Sequence, residues 1–464
     1  MTTAIHIFGD RYCDIWAIRE DSSKAHSTKE FARVLPIPSP LFHRYFNGGG
    51  HRGTLYSTGM RRWSVVCLLS LGIIIAYIDR TNLSVSLASA DFKALFHLTD
   101  KDRGLLGSAF FWSYAILQIP AGAVADRFGV KMPVAIGLAC WCVASAATAG
   151  ATFLWQLIAM RVILGVFESV ITPGAMRWIR YNIEEERRGL AMGVFMSGSK
   201  YGPAVGAPLA AVLLSHYGWR SMFLILGLGG LLWLIPWLLL EKGDDRIKAA
   251  AENTQGGPSF GSLFKTRIMW GTLIGTFCYN YFTYFSMTWL PAYFVERRHL
   301  SLTSMGMYTM FSFGGMATVA IVAGFAADWL IRRGFDAVTT RRWFVIAGFL
   351  VASTEVIGAL TDSNEVAKIF AIVSLGGLGL ATGNYWALTQ TLLPGKSIGS
   401  IAGAQNTASN VAGAVAPFLT GWLKEATGSY DAPMKAIWVF LIIGVGCYLF
   451  LVKPDRSGRP KTEH

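Results

Sequence analysis

A carboxylate and a guanidinium stand side by side at Asp79 and Arg80, within Tyr77-Ile78-Asp79-Arg80. Their surroundings are apolar: the run begins at Trp63 and resumes as Leu83-Ser84-Val85-Ser86-Leu87. A charged group at membrane depth costs roughly 2.5–3.5 kcal/mol on insertion scales, so a chain keeps such a pair where it lines a polar cavity. The two residues read as part of a substrate or ion pathway, with helix packing as the alternative. Arg161 and Glu168 lie seven residues apart, two helical turns and nearly one face, which also suits a buried structural ion pair. Lys200 sits in a further apolar run. With Asp79 and Glu168 ionised these five groups sum to +1, and with both protonated to +3. Burial and nearby cations act on the two acids in opposite directions, as suits groups that titrate in use. Protonation releases arginine donors that an anion can take. Lys200 adds a second cationic anchor, fitting a dianion or an acid whose aromatic ring lies against Tyr279, Tyr281 or Trp386. Alternatively, Lys200 neutralises Glu168.

The elements that must hold these groups are long apolar helices. Only 15% of the 464 residues are charged, 53% are hydrophobic, and mean hydropathy is +0.42. A soluble domain carries about 25% charged residues, so the chain reads as an all-α, polytopic membrane protein. Its net charge of +13 then reports loop placement rather than nucleic-acid binding. Apolar runs near the ~20 residues a bilayer needs fall at 63–87, 104–124, 132–150, 152–175, 189–214 and 221–240. A second set falls at 267–294, 303–327, 343–361, 365–391, 399–423 and 434–452. The expectation is twelve transmembrane helices in two six-helix bundles, 60–240 and 267–452, joined by a cytoplasmic linker at 241–266 and followed by a cytoplasmic tail at 453–464. Residues 1–59 read as a disordered extension, or as sequence upstream of a natural start at Met60.

The six cysteines give no disulfide framework, and five of them lie in apolar runs as small fillers. No metal site and no cofactor is expected. Glu355, in the ninth run, either snorkels to the surface or pairs with Lys368. One set of alternate loops is rich in Lys and Arg, among them Arg127, Lys131, Arg177, Arg180, Arg187, Arg188, Arg332, Arg333, Arg341 and Arg342. By the positive-inside rule that set and both termini are cytoplasmic. The halves also echo one another. Gly122-Ala-Val-Ala-Asp126-Arg127-Phe-Gly129-Val-Lys131 follows the second run, and Gly324-Phe-Ala-Ala-Asp328 with Arg332-Arg333 follows the eighth. A duplicated bundle with a site between its halves is the organisation of many secondary transporters.

These residues resemble the major facilitator superfamily from about Arg61 to Lys453, most specifically in the G-x-x-x-D-R-x-G-x-K loop from Gly122 to Lys131. The resemblance implies the superfamily's fold and a gating role for Gly122, Asp126, Arg127, Gly129 and Lys131, echoed by Asp328 and Arg332. Within it, Tyr77-Ile-Asp79-Arg80-Thr-Asn82-Leu83-Ser84 is similar to the anion:cation symporter branch, which includes sugar-acid, hexuronate and phthalate permeases. That similarity implies substrate binding by Tyr77 and Arg80 and proton coupling through Asp79. Arg161-Val-Ile-Leu-Gly165-Val-Phe-Glu168 resembles the branch's R-x-x-x-G-x-x-E pattern, implying a protonation site at Glu168 linked to Arg161. Tyr114, Trp386 and Asn406 match pocket positions of the family. Two departures stand out: Lys200 where sugar-acid members often have glutamine or another polar residue, and Thr276 where some have glutamine. Thr276 opens an unusually aromatic seventh run in which Asn280 or Tyr281 faces the cavity.

The function implied is proton-coupled uptake of an organic acid anion by alternating access, in a cell (inner) membrane, by a monomer whose partners are the anion, protons and the lipid bilayer. A proton-coupled efflux antiporter and an anion-binding membrane sensor are the alternatives. Gly198-Ser-Lys-Tyr-Gly202-Pro203 loosely resembles the fifth-span motif of drug exporters, but buried cations do not suit lipophilic cationic drugs. A sensor needs an output domain, and neither tail looks like one. No nucleophile–base pair or metal cluster suggests an enzyme.

Overall fold

The computed structural model describes residues 49–243, 264, 266–392 and 398–452. Most of the 1–59 extension, most of the 241–266 linker and the 453–464 tail lie outside the described residues. The chain divides into two compact units, Met1–Arg61 and Arg62–His464, and the functional groups all belong to the second.

The described residues are helical throughout, without strands. In chain order the helices are α1 Gly49–Ala88, α2 Ala90–Leu95, α3 Asp100–Phe128, α4 Lys131–Ala147, α5 Leu154–Glu168, α6 Ile171–Asn182, α7 Glu185–Gly230 and α8 Leu234–Leu240. The second half continues with α9 Arg267–Glu296, α10 Leu302–Arg332, α11 Ala337–Ala352, α12 Glu355–Leu360, α13 Asn364–Leu392, α14 Ile398–Thr427 and α15 Asp431–Gly446. α1 therefore starts at Gly49, upstream of the expected boundary at Met60, because helical backbone runs on beyond the apolar stretch.

Among the described residues, 8 helices are long and apolar enough to cross a membrane, or 9 when α3 counts as one span bent by 48° at Pro120. Proline lacks the N–H that continues a helix, which accounts for that bend. One of the helices, Arg187–Leu240, is 54 residues long and holds two crossings. Its backbone breaks at Gly218, where φ is 76°, a left-handed geometry that glycine adopts without Cβ strain. With α9 and α14, whose polar and aromatic content lowers their hydropathy, the crossings among the described residues number twelve.

Helix starts are fixed by local chemistry. Thr99 and Asp102 form a reciprocal capping box at α3, and Ser301 and Asp336 accept from the backbone N–H groups of Ser304 and Thr339 at α10 and α11. Within each half the packing repeats. α4 closes on the fourth and sixth crossings at Gly137 and Gly227, and α11 closes on the tenth and twelfth at Gly348 and Gly444.

The halves meet along two seams, α3 against α14 and the first crossing of α7 against α10. A Cβ on Gly104 would come 2.7 Å from the Pro417 carbonyl oxygen, and one on Gly306 would come 2.9 Å from the Cα of Pro208. Both seams are tight at the same end of the bundle. Toward the other end, Cβ atoms on Gly383 and Gly403 would meet nothing within 4 Å.

Candidate functional site

α1 carries Asp79 and Arg80 into the protein interior, where they are 1% and 4% exposed. α5 ends at Glu168, so its carboxylate projects from a helix terminus rather than from a continuous rod. Gly165 lets α5 approach α3 closely, since a Cβ there would press on the Phe110 backbone. Arg80 Nε donates to Glu168 Oε1 at 2.7 Å, and Arg80 Nη2 donates to the same oxygen. The guanidinium is roofed by aromatic faces, with ring centroids 4.3 Å away at Tyr77, 4.5 Å at Phe110 and 5.1 Å at Tyr114. Asp79 accepts from Ser145 Oγ at 2.6 Å and from Asn82 Nδ2 at 3.4 Å. Arg161 Nη1 lies 3.5 Å from the Asp79 carbonyl oxygen.

Two cations and two anions thus form a knot that is neutral when all are ionised. Asp79 Oδ2, Glu168 Oε2 and Arg161 Nε are buried without a hydrogen-bond partner. Such spare valence at a buried ionic site suits groups that exchange partners or protons.

The knot corrects two expectations. Glu168 is paired with Arg80 rather than with Arg161, because two turns of helix separate the latter pair by about 10.5 Å along the axis while α1 crosses directly beside α5. Lys200 does not neutralise Glu168 either: Arg80 is the cation paired with that carboxylate. Lys200 faces the other half, its Nζ lying 5.5 Å from the Tyr279 ring centroid.

The other predicted residues fall into groups. Tyr114 hydroxyl hydrogen-bonds Thr172 Oγ1 at 3.1 Å; Gln118 Nε2 reaches Tyr114 at 3.5 Å, and Asn410 Nδ2 donates to Gln118 Oε1 at 3.0 Å. That chain of contacts crosses from one half to the other. Thr276 is fully buried and accepts from Gln405 Nε2 at 3.2 Å, a distance matched by 3.0 Å from Gln405 to Thr389 Oγ1. Trp386 stands partly exposed beside Tyr385, 5.4 Å between rings. Asn280 Nδ2 donates to its own helix at the Thr276 carbonyl, 2.8 Å away, and its side chain is 7% exposed. Asn406 is partly exposed.

Tyr281 does not face the space between the halves. Its ring lies 4.3 Å from Phe440 of α15, inside the second half, because 200° of helix turn separates it from Tyr279. Sequence reasoning missed Gln118, Gln405 and Asn410, whose neutral amides carry no charge to mark them in an apolar run.

Glu355 is also corrected. It is 3% exposed and accepts from Ser374 Oγ at 2.5 Å, while Lys368 pairs with Glu365 at 2.5 Å. The helix break at Ser353-Thr354 starts α12 at Glu355 and turns that side chain onto α13.

The two ends of the bundle differ. At the closed end Glu296, the last residue of α9, is approached by Lys93 at 2.6 Å, by Arg103 and Lys424 at 3.0 Å, and by the Tyr430 hydroxyl at 2.7 Å. Lys424 also holds Asp100 at 2.8 Å. Burial pushes the Glu296 carboxyl up, but Arg103, Lys93, Tyr430 and Lys424 outweigh it and hold the group at about 2. Between this network and the knot lies a cavity of about 10 Å³, lined by Arg80, Ser84, Arg103, Arg161, Thr288 and Trp289, room for one water. The opposite end is held by different contacts. At that end Asp126 pairs with Arg177 at 2.5 Å and Asp328 with Arg341 at 3.0 Å, each within its own half. Lys131 Nζ donates to the carbonyls of Leu238 and Glu241, Arg127 lies 5.4 Å over Phe128, and Gly129 turns the chain with φ 77°. Arg332 is exposed.

The sequence profile of the Major Facilitator Superfamily matches residues 69–417. A probable L-galactonate transporter of Escherichia coli (strain K12) is 28% identical over 86% of this chain and 91% of its own length. A probable sulfoacetate transporter of Cupriavidus necator is 30% identical over 83% and 92%, and a hexuronate transporter of Bacillus subtilis 28% over 79% and 89%. The fold matches a crystal structure of a bacterial homologue of the human lysosomal transporter Spinster, inward-facing and occupied, with TM-score 0.73 and 18% identity over 87% of this chain and 99% of that one.

Proposed function

Because this chain belongs to the major facilitator superfamily of membrane transporters, we propose that it takes up an organic acid anion together with protons. The relatives named for galactonate, hexuronate and sulfoacetate support an organic acid as the cargo. The observation that carries the reading is the buried pair of Arg80 and Glu168 beside Asp79, next to a small cavity that Thr288 and Trp289 of the other half also line.

The pair couples two ligands by electrostatics. Protonating Glu168 alone strands Arg80 as an uncompensated buried charge, a cost of about 3–5 kcal/mol. Bringing in an anion alone sets a second negative group against Glu168. Only proton and anion together replace one satisfied arrangement by another: the proton neutralises Glu168, and the substrate carboxylate takes the Arg80 donors. Asp79 supplies a second proton site, and Arg161 holds the α1 backbone beside it. Tyr77 and Tyr114 fix the guanidinium from its open faces, while Trp386, Asn406, Asn280 and Thr276 belong to the opposite wall.

Rocking then moves the site between the membrane faces. The 60–240 and 267–452 bundles move as bodies, and the 241–266 linker joins them. The Asp126–Arg177 and Asp328–Arg341 pairs hold the helix ends of each half rigid, with Gly122, Arg127, Gly129, Lys131 and Arg332 in the same loops. The excess of basic residues there supports a cytoplasmic position for that end and for both termini. The closed end faces out of the cell, in a cell membrane, and a monomer suffices for the cycle.

The test is uptake of labelled galactonate or sulfoacetate by proteoliposomes. An inward proton gradient should drive accumulation above equilibrium, and collapsing the gradient should reduce it to equilibration. Accumulation under the reverse gradient alone would instead establish export.

A further inference from the structure

Lys200 is the cation that the knot leaves over. Among the described residues no ion pair or hydrogen bond reaches its Nζ, which lies 5.5 Å from the centroid of the Tyr279 ring. Its place on α7 explains where it looks. Lys200, Ala204, Ala207 and Ala211 recur at i, i+4, i+7 and i+11, one face of a helix. Ala207 and Ala211 are buried in the seam against Gly306 of α10. Lys200 continues that same stripe away from the closed end and points at the other half, toward Tyr279 of α9.

What it meets there is a fixed aromatic shelf. The Tyr279 ring packs 4.9 Å from Tyr385, and Tyr385 lies 5.4 Å from Trp386. The Tyr279 hydroxyl is tied to Thr382 Oγ1 at 2.7 Å. Thr382, Trp386 and Lys200 are each partly exposed, whereas Tyr279 and Tyr385 are buried, so the accessible edge of the shelf lies at Trp386. Arg80, by contrast, is paired with Glu168 and roofed by Tyr77, Phe110 and Tyr114.

We infer that Lys200 and the shelf of Tyr279, Tyr385 and Trp386 form a second anion subsite, and that the carried acid bears two anionic groups. The inference rests on the organic-anion reading above and specifies its cargo. The first acidic group docks on Lys200, which is free whether or not Glu168 holds a proton. The second takes Arg80 once Glu168 is protonated. Charge counting agrees: the knot is neutral with its acids ionised, Lys200 adds one positive charge, and a proton on Glu168 adds a second. A dianion then leaves the occupied site neutral with one proton aboard, and a low-dielectric site favours that balance. Lys200 belongs to the first half and the shelf to the second, so the guest also touches both bodies that must close on it.

The test compares matched acids on the purified full-length protein: galactarate against galactonate, which share a carbon chain but carry two carboxylates and one, and sulfoacetate against acetate. Equilibrium binding should favour the dianion of at least one pair by about tenfold or more, the scale of one buried charge contact. Lys200→Gln should bring the two members of that pair within about twofold by weakening the dianion alone, and Lys200→Arg should keep the preference. Melting curves of both variants check that they are folded. Equal binding of mono- and dianion by the natural protein, or an equal loss of both in Lys200→Gln, overturns the second subsite while leaving organic-anion binding intact. Binding of none of the four acids counts against the organic-anion reading itself, and the subsite falls with it.

Discussion

The two halves share a plan but divide the chemistry between them. Helix pairs repeat, the seams pair α3 with α14 and α7 with α10, and the aspartates ending the second and eighth crossings each pair with an arginine of their own half, Asp126 with Arg177 and Asp328 with Arg341. At mid-depth the likeness ends. The first half holds Asp79, Arg80, Arg161, Glu168 and Lys200, whereas the second offers Thr276, Tyr279, Tyr385, Trp386, Gln405 and Asn410. Duplication supplies two rocking bodies. In the proposed cycle, coupling needs an ion pair in only one of them, with a neutral wall opposite to carry the body of the substrate. A second charged knot facing the first would add desolvation cost without adding a place for the proton.

The largest expected effect tests whether the first half alone carries the charge chemistry. Arg80→Ala should reduce organic-acid uptake in proteoliposomes to the level of protein-free vesicles. It also leaves Glu168 buried without its partner, a loss of about 3–5 kcal/mol while that carboxylate stays ionised. Retained uptake would transfer the anion site elsewhere.

The closed seam sharpens the comparison, since there both halves contribute charge. Glu296, in the second half, is held at about 2 by cations largely from the first. A carboxyl lowered from 4.5 to that value adds roughly 3 kcal/mol. The contribution is fully present above pH 4.5 and disappears as the pH falls through about 2. Glu296→Gln should therefore lower the melting temperature of the purified protein by the same amount at every pH from about 5 to 8. A gap that opened and closed within that range would mean Glu296 titrates with the transport cycle.

The smallest effect belongs to Glu355, the buried acid of the second half. Its partner is the Ser374 hydroxyl rather than a cation, and the neighbouring Arg298 is occupied by the carbonyls of Gly358, Ala359 and Thr361. Glutamine keeps the acceptor, so Glu355→Gln should cost under about 1 kcal/mol and leave proton-driven accumulation unchanged. Loss of accumulation would break the asymmetry between the halves.

The crossings, the loop motifs and the charged residues of the first half were readable in the sequence, because a charge within a span is rare and therefore conspicuous. Partnerships were less so. Arg161 and Glu168 share a helical face, yet a salt bridge needs reach, and Arg80 arrives from a neighbouring helix whose placement periodicity does not encode. In the seventh crossing the aromatic residues run unbroken around the helix, so nothing distinguished Tyr279, which meets the other half, from Tyr281, which packs inward. Asn406 was named where its neighbour Gln405 bridges Thr276 and Thr389, a difference of one residue and 100° of helix.

Coupling through the Arg80–Glu168 pair is tested most directly by Glu168→Gln in proteoliposomes, with proton-driven accumulation and counterflow exchange of the same labelled acid measured side by side. Glutamine fixes the site in its protonated-like form, so accumulation should disappear while exchange across the membrane persists. Accumulation at the natural level in this variant would contradict a proton site at Glu168, and loss of both activities would reduce the pair to a structural clamp.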